Sequence, residues 1–379
     1  MYRIVEVVPS LKVGGAETLI ADYCKSINKE QIQLKVIVID RQYFTPIEER
    51  IKESGVEVIY LGNQLFKDGD LRWNILKLIR FVSRYYYFNK AIHQYDPDVI
   101  HIHLHLGLYF RFLFMRKKDV RLYLTVHNVT ERYFCKDCSN IKKYVEYREV
   151  CRLIRKKGLT LIALHEDMRQ ELKSFFDSER VILLRNGICL SKFDPSLYDK
   201  NEMRSRLGIE ESAFVIGHVG RFHEQKNHRM IIDIFCNIYK KDPNSVLLLV
   251  GTGDLKEQIE EMIRVKGIVD RVIILSNRPD IPQIMCAMDV FLMPSLWEGY
   301  PVSLIEAQAM GIKCVISDAI NTEAILSNRV IVVSLSGELG EWEKAIFAET
   351  GFAQKVSSIK DYDMNACISR LEDIYCNRA

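Results

Sequence analysis

Short apolar runs recur along the whole 379-residue chain, and most are followed by a longer stretch patterned at helical spacing. That alternation constrains the fold more than any other feature. Strands separated by helices build parallel β-α-β units, whose sheets are covered on both faces by the crossover helices. In the first half the runs are Arg3 to Val8, Leu34 to Ile39, Val56 to Tyr60, Val99 to Ile102, Leu122 to Val126, Leu159 to Ala163 and Val181 to Leu184. In the second half they are Phe214 to Val219, Ser245 to Val250, Arg271 to Leu275, Val290 to Met293, Cys314 to Ser317 and Val330 to Val333. A chain this long exceeds one compact core. Turn signals at Asn186-Gly187 and Phe193-Asp194-Pro195 place a hinge near 186–195. The expectation is an α/β protein of two domains, 1–190 and 191–361.

Apolar content of 48% and charged content of 27% describe an ordinary globular protein. No segment has the ~18 uninterrupted apolar residues of a membrane span. The first residues carry Glu6 inside an apolar run and read as a strand instead of a signal peptide, so a cytoplasmic protein is expected. Among ten cysteines only Cys135 and Cys138 are closely spaced, and no second pair stands at zinc-site spacing. The rest read as small buried hydrophobes of a reducing compartment.

The net charge of +3 is unevenly spread, with 32 Lys and Arg against 23 Asp and Glu in residues 1–190, and 21 against 27 beyond. The first half is therefore the side suited to an anionic surface or acceptor. No nucleic-acid partner is expected. A helical pattern from Leu71 to Tyr95 interleaves Arg72, Lys77, Arg80, Arg84 and Lys90 with Trp73, Tyr85, Tyr86 and Tyr87. Such a helix either lies peripherally on an anionic membrane, where each basic residue contributes about 1 kcal/mol, or packs by its aromatics with a solvated basic face. A second basic stretch, Arg132 to Lys157, is either a solvated face or part of an acceptor surface.

Chemistry concentrates where strands end. Open parallel sheets hold ligands beyond the carboxyl ends of their strands, where loop amides and helix amino termini meet anions. Gly14-Gly15-Ala16-Glu17 opens a helix after the first run, and its glycines allow close backbone approach. His101, His103 and His105 end one strand, and His127 follows the next. Histidines there face the cleft of such a sheet; a metal site built from them wants a carboxylate that sequence does not place. In the second half, Gly220-Arg221 with Lys226 puts two cations on one loop, suited to a diphosphate. Gly251-Thr252-Gly253-Asp254 is a fragment of a phosphate-type glycine loop, and Asn277-Arg278-Pro279 lies on the same rim. The stretch Asp289 to Lys313 then reads as strand, tight turn and helix, with Glu298 on the loop and Glu306 in the helix. Amides can take a phosphate there while carboxylates take hydroxyls, a combination that suits a sugar nucleotide. Asp96-Pro97-Asp98 mimics a metal-binding Asp-x-Asp but precedes a strand, and is discounted.

Taken together these motifs resemble the GT-B glycosyltransferases of family GT4, retaining enzymes common in capsule, exopolysaccharide and lipopolysaccharide pathways. The resemblance covers nearly the whole chain, through Gly14-Gly15-Ala16-Glu17, the His-x-His strand end, Val126-His127, Asn186-Gly187-Ile188, Val219-Gly220-Arg221-Phe222, Lys226-Asn227-His228 and Glu298 to Gly311. It implies two Rossmann-like domains facing a cleft, the first on the acceptor side and the second binding the nucleotide-sugar, with residues 362–379 packing back on the first. It implies that Arg221 and Lys226 grip the diphosphate and stabilise the leaving group, that Glu306 holds the ribose and that Glu298 holds the donor sugar. Gly220, Gly251 and Gly253 would border the nucleotide, with Asn277, Arg278 and Pro279 against the base. Amides around Gly299, Tyr300, Val302 and Ser303 would face phosphate or sugar. Gly14 and Gly15 would approach the diphosphate, and His127 would contact the sugar near its reacting carbon. His165-Glu166 stands where the family often has serine before glutamate, a departure that touches only that site.

The implied reaction moves a sugar, a hexosyl or N-acetylhexosaminyl group, from a nucleotide-sugar to a saccharide or lipid-linked oligosaccharide. UDP is favoured as the commoner carrier. The cations replace a metal, so no cofactor is expected. The competing expectations are a sugar-nucleotide 2-epimerase of the same architecture, which would lack the Glu-x7-Glu spacing, and a non-catalytic sugar-nucleotide-binding module.

Overall fold

The computed structural model describes residues 1–12, 14–62, 73–104, 107–111, 117, 119–136, 140–351 and 357–378, with backbone alone at 73–81, 108, 357 and 358. The chain divides into two compact units, Met1–Gly187 with Asn365–Ala379, and Ile188–Met364.

The first unit holds a seven-stranded sheet built from β1 (Tyr2–Val8), β2 (Ile32–Val38), β3 (Glu57–Tyr60), β4 (Val99–His103), β5 (Arg121–Thr125), β6 (Thr160–Ala163) and β7 (Val181–Leu183). Its strand order is β3-β2-β1-β4-β5-β6-β7, parallel throughout. The second unit holds β8 (Phe214–Val219), β9 (Ser245–Val250), β10 (Val272–Leu275), β11 (Val290–Met293), β12 (Lys313–Ser317) and β13 (Val330–Val333). These pair in the order β10-β9-β8-β11-β12-β13, again parallel. Parallel strands covered on both faces need apolar side chains pointing both ways, and every residue of β4, β9, β11 and β12 is buried. The order in which strands are added reverses between β1 and β4 in one sheet and between β8 and β11 in the other. Each reversal leaves a crevice at the carboxyl edge.

In the second unit the His228–Lys241 and Leu339–Phe347 helices seal the sheet, burying Phe235, Ile238 and Trp342 against Leu247, Leu249 and Val290. Asp289, just before β11, is held by Arg204 at 2.7 Å and Lys200 at 2.6 Å, which fixes the strand's entry. The two segments that join the units run side by side, with Ile188 N donating to Tyr362 O at 2.8 Å and Met364 N to Ile188 O at 2.9 Å.

The last helix, Met364–Tyr375, packs on the first unit. There Glu372 accepts from Asn28 N at 2.6 Å, Arg121 donates to Ile374 O at 3.1 Å, and the Tyr2 hydroxyl donates to Cys376 O at 3.2 Å. The Asp96 and Asp98 carboxylates pair with Arg3 and Lys117 as structural ties at the amino edge of the sheet. The expected helix from Leu71 is seen as Trp73–Tyr95, Leu71 and Arg72 lying outside the described residues. On it Val82, Tyr86 and Lys90 are exposed at four-residue spacing, whereas Arg84 pairs with Asp40 at 3.0 Å. Among the described residues no helix is long and apolar enough to cross a membrane.

Candidate functional site

In the second unit the loops after β8 and β11 border the crevice where the strand order reverses. The first runs from Gly220 through a short turn, Glu224–Lys226, into the His228–Lys241 helix; the second runs from Pro294 to Pro301. They are tied together by Leu296 N donating to Gln225 O at 2.8 Å and Gln225 Nε2 to Trp297 O at 2.9 Å. At their junction Lys226 Nζ lies 2.7 Å from Glu298 Oε1, and Gln225 Nε2 donates to Glu298 Oε2 at 3.0 Å. The two charged side chains are only 13% and 6% exposed, so their attraction is poorly screened by water. Sequence reading assigns these two residues to different parts of a ligand; the fold makes them one ion pair.

The rest of the rim is arranged around that pair. The Val302–Ala309 helix starts without a side-chain cap. Among the described residues no bond is made by the amides of Gly299 and Ser303, which leaves donors for an anion. The Val302 amide, by contrast, donates to Tyr300 O at 3.0 Å and is taken. Tyr300 itself is buried, stacked on Tyr362 at 5.7 Å between centroids. Glu306 is half-buried in the same helix. Arg221 is about half exposed, with a long 3.4 Å contact to Asp254, so its guanidinium is available to a ligand.

Gly251 and Gly253 have a reason of their own. A Cβ on Gly251 would lie 2.0 Å from Gly220 O, and one on Gly253 would lie 2.3 Å from Phe222 O. Phe222 N donates to Thr252 O at 2.9 Å, and Leu255 N to Phe222 O at 3.1 Å. The glycine pair thus lets the β9 loop press against the β8 loop and hold Arg221 in place. On the next loop Asn277 adopts a left-handed conformation (φ 53°) and Arg278 chelates Asp280, donating at 2.7 Å, so that side chain is already engaged. Beneath the Lys226 loop lie His218 and His228, rings 5.1 Å apart. Burial and the neighbouring cationic groups push His218 well below the ordinary imidazole value, and burial with the Lys226 charge holds His228 down to about 4.

In the first unit, Gly14 caps the Gly15–Ser26 helix without a side-chain bond, and nothing lies within 4 Å of a Cβ built on Gly15. No internal packing demands glycine there. His127 follows β5 and is half-buried. His101 and His103, expected from sequence to face the cleft, are buried, at 0% and 1% exposed. A polar chain inside the sheet accounts for this. His103 Nδ1 lies 2.8 Å from His127 Nε2, and His103 Nε2 lies 2.5 Å from Glu6 Oε2. His101 Nδ1 lies 2.5 Å from the Tyr375 hydroxyl, which donates to Glu6, and His101 Nε2 lies 2.6 Å from Thr125 Oγ1. His105 lies outside the described residues, as does Cys138 of the cysteine pair.

Glu6 is the carboxylate that sequence reading could not place beside the histidines. Its only signal was an acidic residue inside an apolar strand. Tyr375 was missed for want of any signal. Glu6, His101 and His103 bring ligating atoms within 4.8 Å of one another, a group that could hold a metal ion, although the hydrogen bonds above already join these side chains. Burial opposes ionisation of Glu6, but the two imidazoles beside it more than offset this, and its carboxyl lies well below the usual range. Burial, then the neighbouring rings, lowers His127 well below the ordinary value. His165, at the departure from the family pattern, caps the Glu166–Phe176 helix by accepting from Met168 N at 3.2 Å.

Comparison with known proteins bears on both units. Residues 13–192 match the family model described as Glycosyltransferase Family 4, and residues 213–346 the one described as Glycosyl transferases group 1. The chain is 31% identical over 351 residues to the putative glycosyltransferase EpsF of Bacillus subtilis (strain 168), covering 91% of this chain and 86% of that one. It is 33% identical over 174 residues to the UDP-Gal:alpha-D-GlcNAc-diphosphoundecaprenol alpha-1,3-galactosyltransferase of Escherichia coli, 44% of this chain and 45% of that one. Two similar folds are sucrose-phosphate synthase from Thermosynechococcus elongatus and Anabaena HepE in complex with UDP-glucose. The first has a TM-score of 0.76 at 15% identity, covering 100% and 99% of the two chains. The second has 0.70 at 20% identity, covering 100% and 95%.

Proposed function

The chain belongs to glycosyltransferase family 4, a sugar-transferring enzyme of GT-B fold, and from that premise we propose that it is a retaining transferase using a nucleotide-sugar, with UDP the favoured carrier. The observation that carries this is the Lys226–Glu298 pair at the crevice of the second sheet, beside the uncapped start of the Val302–Ala309 helix. A cation, two free amides and two carboxylates within one pair of loops match a diphosphate flanked by hydroxyls. Lys226, with Arg221 and the amides of Gly299 and Ser303, binds the diphosphate and stabilises the negative charge that develops as the sugar leaves. Glu306 takes the ribose hydroxyls and Glu298 those of the sugar. The departing phosphate assists removal of the acceptor proton. Metal is not required in this scheme, since the two cations supply the charge.

The acceptor is a saccharide or a lipid-linked oligosaccharide, and the setting is synthesis of a capsule, exopolysaccharide or related surface polymer on the cytoplasmic side of the membrane. The name of the Escherichia coli relative, which specifies a diphosphoundecaprenol-linked acceptor, supports this. So do the exposed Val82, Tyr86 and Lys90 on the Trp73–Tyr95 helix, and Ile141 and Tyr144 among the basic residues of the Ile141–Lys157 helix, as a peripheral membrane face.

A thermal-shift screen of nucleotides and nucleotide-sugars tests the donor, because a ligand at 100 times its Kd stabilises by about 2.7 kcal/mol. Glu306→Ala should weaken binding of the stabilising nucleotide by about 10- to 100-fold, the loss of a hydrogen bond to a charged group. An unchanged Kd by calorimetry would remove the ribose role.

A further inference from the structure

At the amino edge of the second sheet, across from the loops after β8 and β11, lies a cavity of about 310 Å3. Its lining comes from the starts of three neighbouring strands, with Asp289 just before β11, Lys313 opening β12 and Arg329 just before β13. Lys200 adds a third cation, and the buried Met288 and Met310 form an apolar wall. All of these residues belong to the Ile188–Met364 unit.

Charge is not balanced there. Asp289 is the one carboxylate of the lining, and Arg204 and Lys200 already hold it at 2.7 and 2.6 Å. Lys313 and Arg329 pair with no carboxylate among the described residues; their partners are neutral oxygens. Lys313, only 6% exposed, donates to Ile346 O at 2.7 Å and to Ala348 O, at the end of the Leu339–Phe347 helix. Arg329 donates to Gly311 O at 2.7 Å and to Thr350 Oγ1 at 3.2 Å. Carbonyls at helix ends attract cations, which accounts for these bonds. They do not exhaust the donors, because an ammonium has three protons and a guanidinium five N–H groups, so one is left on Lys313 and three on Arg329. Nor do they cancel two full charges in a place poor in water, where an unpaired charge is costly. Burial and the Arg329 charge together hold the Lys313 ammonium below its usual range, as expected of two cations that share no anion.

We propose that this cavity binds the phosphate group of a small phosphate monoester, with Lys313 and Arg329 as its cationic partners and Met288 and Met310 covering the organic body. Charge selects phosphate. Such a group carries about −1.5 to −2 at neutral pH and so matches two unpaired cations, whereas a carboxylate would leave one of them unmatched. The arginine fork takes two phosphate oxygens at once and the ammonium a third. Volume selects a compact ester, since the cavity stands at the low end of the roughly 300–1,000 Å3 of small-molecule pockets. The site shares no residue with the donor crevice at the carboxyl edge, and it stands whether or not the donor reading does.

The test is calorimetry on the full chain with phenyl phosphate, inorganic phosphate and benzoate. Titrations are made in a Lys226→Met background, which cripples phosphate binding by the donor loops. One saturable site for phenyl phosphate should remain there. Inorganic phosphate, which lacks the organic body, and benzoate, which lacks the second charge, should each bind it more weakly. Adding Arg329→Gln should weaken phenyl phosphate about 10- to 100-fold, the loss of hydrogen bonds to a charged group. Arg329 also ties Gly311 and Thr350, so a readout in the natural protein guards against a folding defect. Cys286 lines the cavity and is half-buried, whereas Cys189, equally half-buried, lies outside it. Phenyl phosphate should slow alkylation of Cys286 and leave that of Cys189 unchanged, both followed by peptide mass spectrometry. The proposal is overturned if no saturable site survives in Lys226→Met, if benzoate binds as tightly as phenyl phosphate, or if Cys286 gains no selective protection.

Discussion

Replacing Lys226 with methionine removes the charge and keeps most of the side-chain bulk, so it isolates the ion pair with Glu298. At the observed 2.7 Å, Coulomb attraction is about 6 kcal/mol at an effective dielectric near 20. Most of that is offset by desolvation, and breaking a fully buried pair costs about 3–5 kcal/mol. Here the partners keep 13% and 6% exposure and Gln225 still donates to the orphaned carboxylate, which brings Lys226→Met to about 2–3 kcal/mol. For a unit of 177 residues, Ile188–Met364, that corresponds to a Tm lower by about 5–10 °C. Glu298→Gln keeps an acceptor and should cost about 1–2 kcal/mol. The double variant restores neutrality and should cost about 1–2 kcal/mol less than the sum of the singles. Calorimetric scans of the four proteins measure this cycle, and additive effects would show that the pair contributes nothing beyond its separate side chains. UDP affinity adds a sign that stability alone does not carry. Glu298→Gln frees the ammonium from its competing carboxylate and should tighten UDP binding, whereas Lys226→Met should weaken it. Weakened binding in both would contradict a phosphate role for Lys226.

Two further outcomes follow from the same loops. Gly253→Ala drives a methyl into the Phe222 backbone and should destabilise by about 1–3 kcal/mol while reducing nucleotide affinity through Arg221, read by calorimetry; a variant with unchanged affinity would show that the loop contact does not position Arg221. His228 is held down to about 4 from an ordinary 6.5, so between those values the unfolded chain binds a proton that the folded chain refuses. Stability is therefore complete above pH 6.5 and lost as pH falls, by about 2 kcal/mol from pH 6.5 to 5. His228→Leu should flatten that part of the profile, and parallel Tm-against-pH curves for the two proteins would refute the assignment.

The periodicity of the chain was enough to find the thirteen strands seen among the described residues, because a parallel strand buried on both faces must read as a continuous apolar run. Strand ends in turn located the rim loops and their charged residues, since ligands of such sheets gather at carboxyl edges. What lies between residues distant in sequence was not legible. The Lys226–Glu298 pair joins positions 72 apart, and Glu6 meets Tyr375 across 369. Neither separation leaves a local pattern, because burial in a finished fold and not spacing decides which polar groups must satisfy one another. For the same reason Gly251 and Gly253 suggested a phosphate loop in sequence, whereas their neighbours in space are Gly220 and Phe222. Sequence alone determined the fold class and the family, both of which follow from local periodicity and motif chemistry. Only tertiary structure decided which carboxylate pairs with which cation and that His101 and His103 are interior, because those depend on low-dielectric contacts that exist only once the sheet has closed.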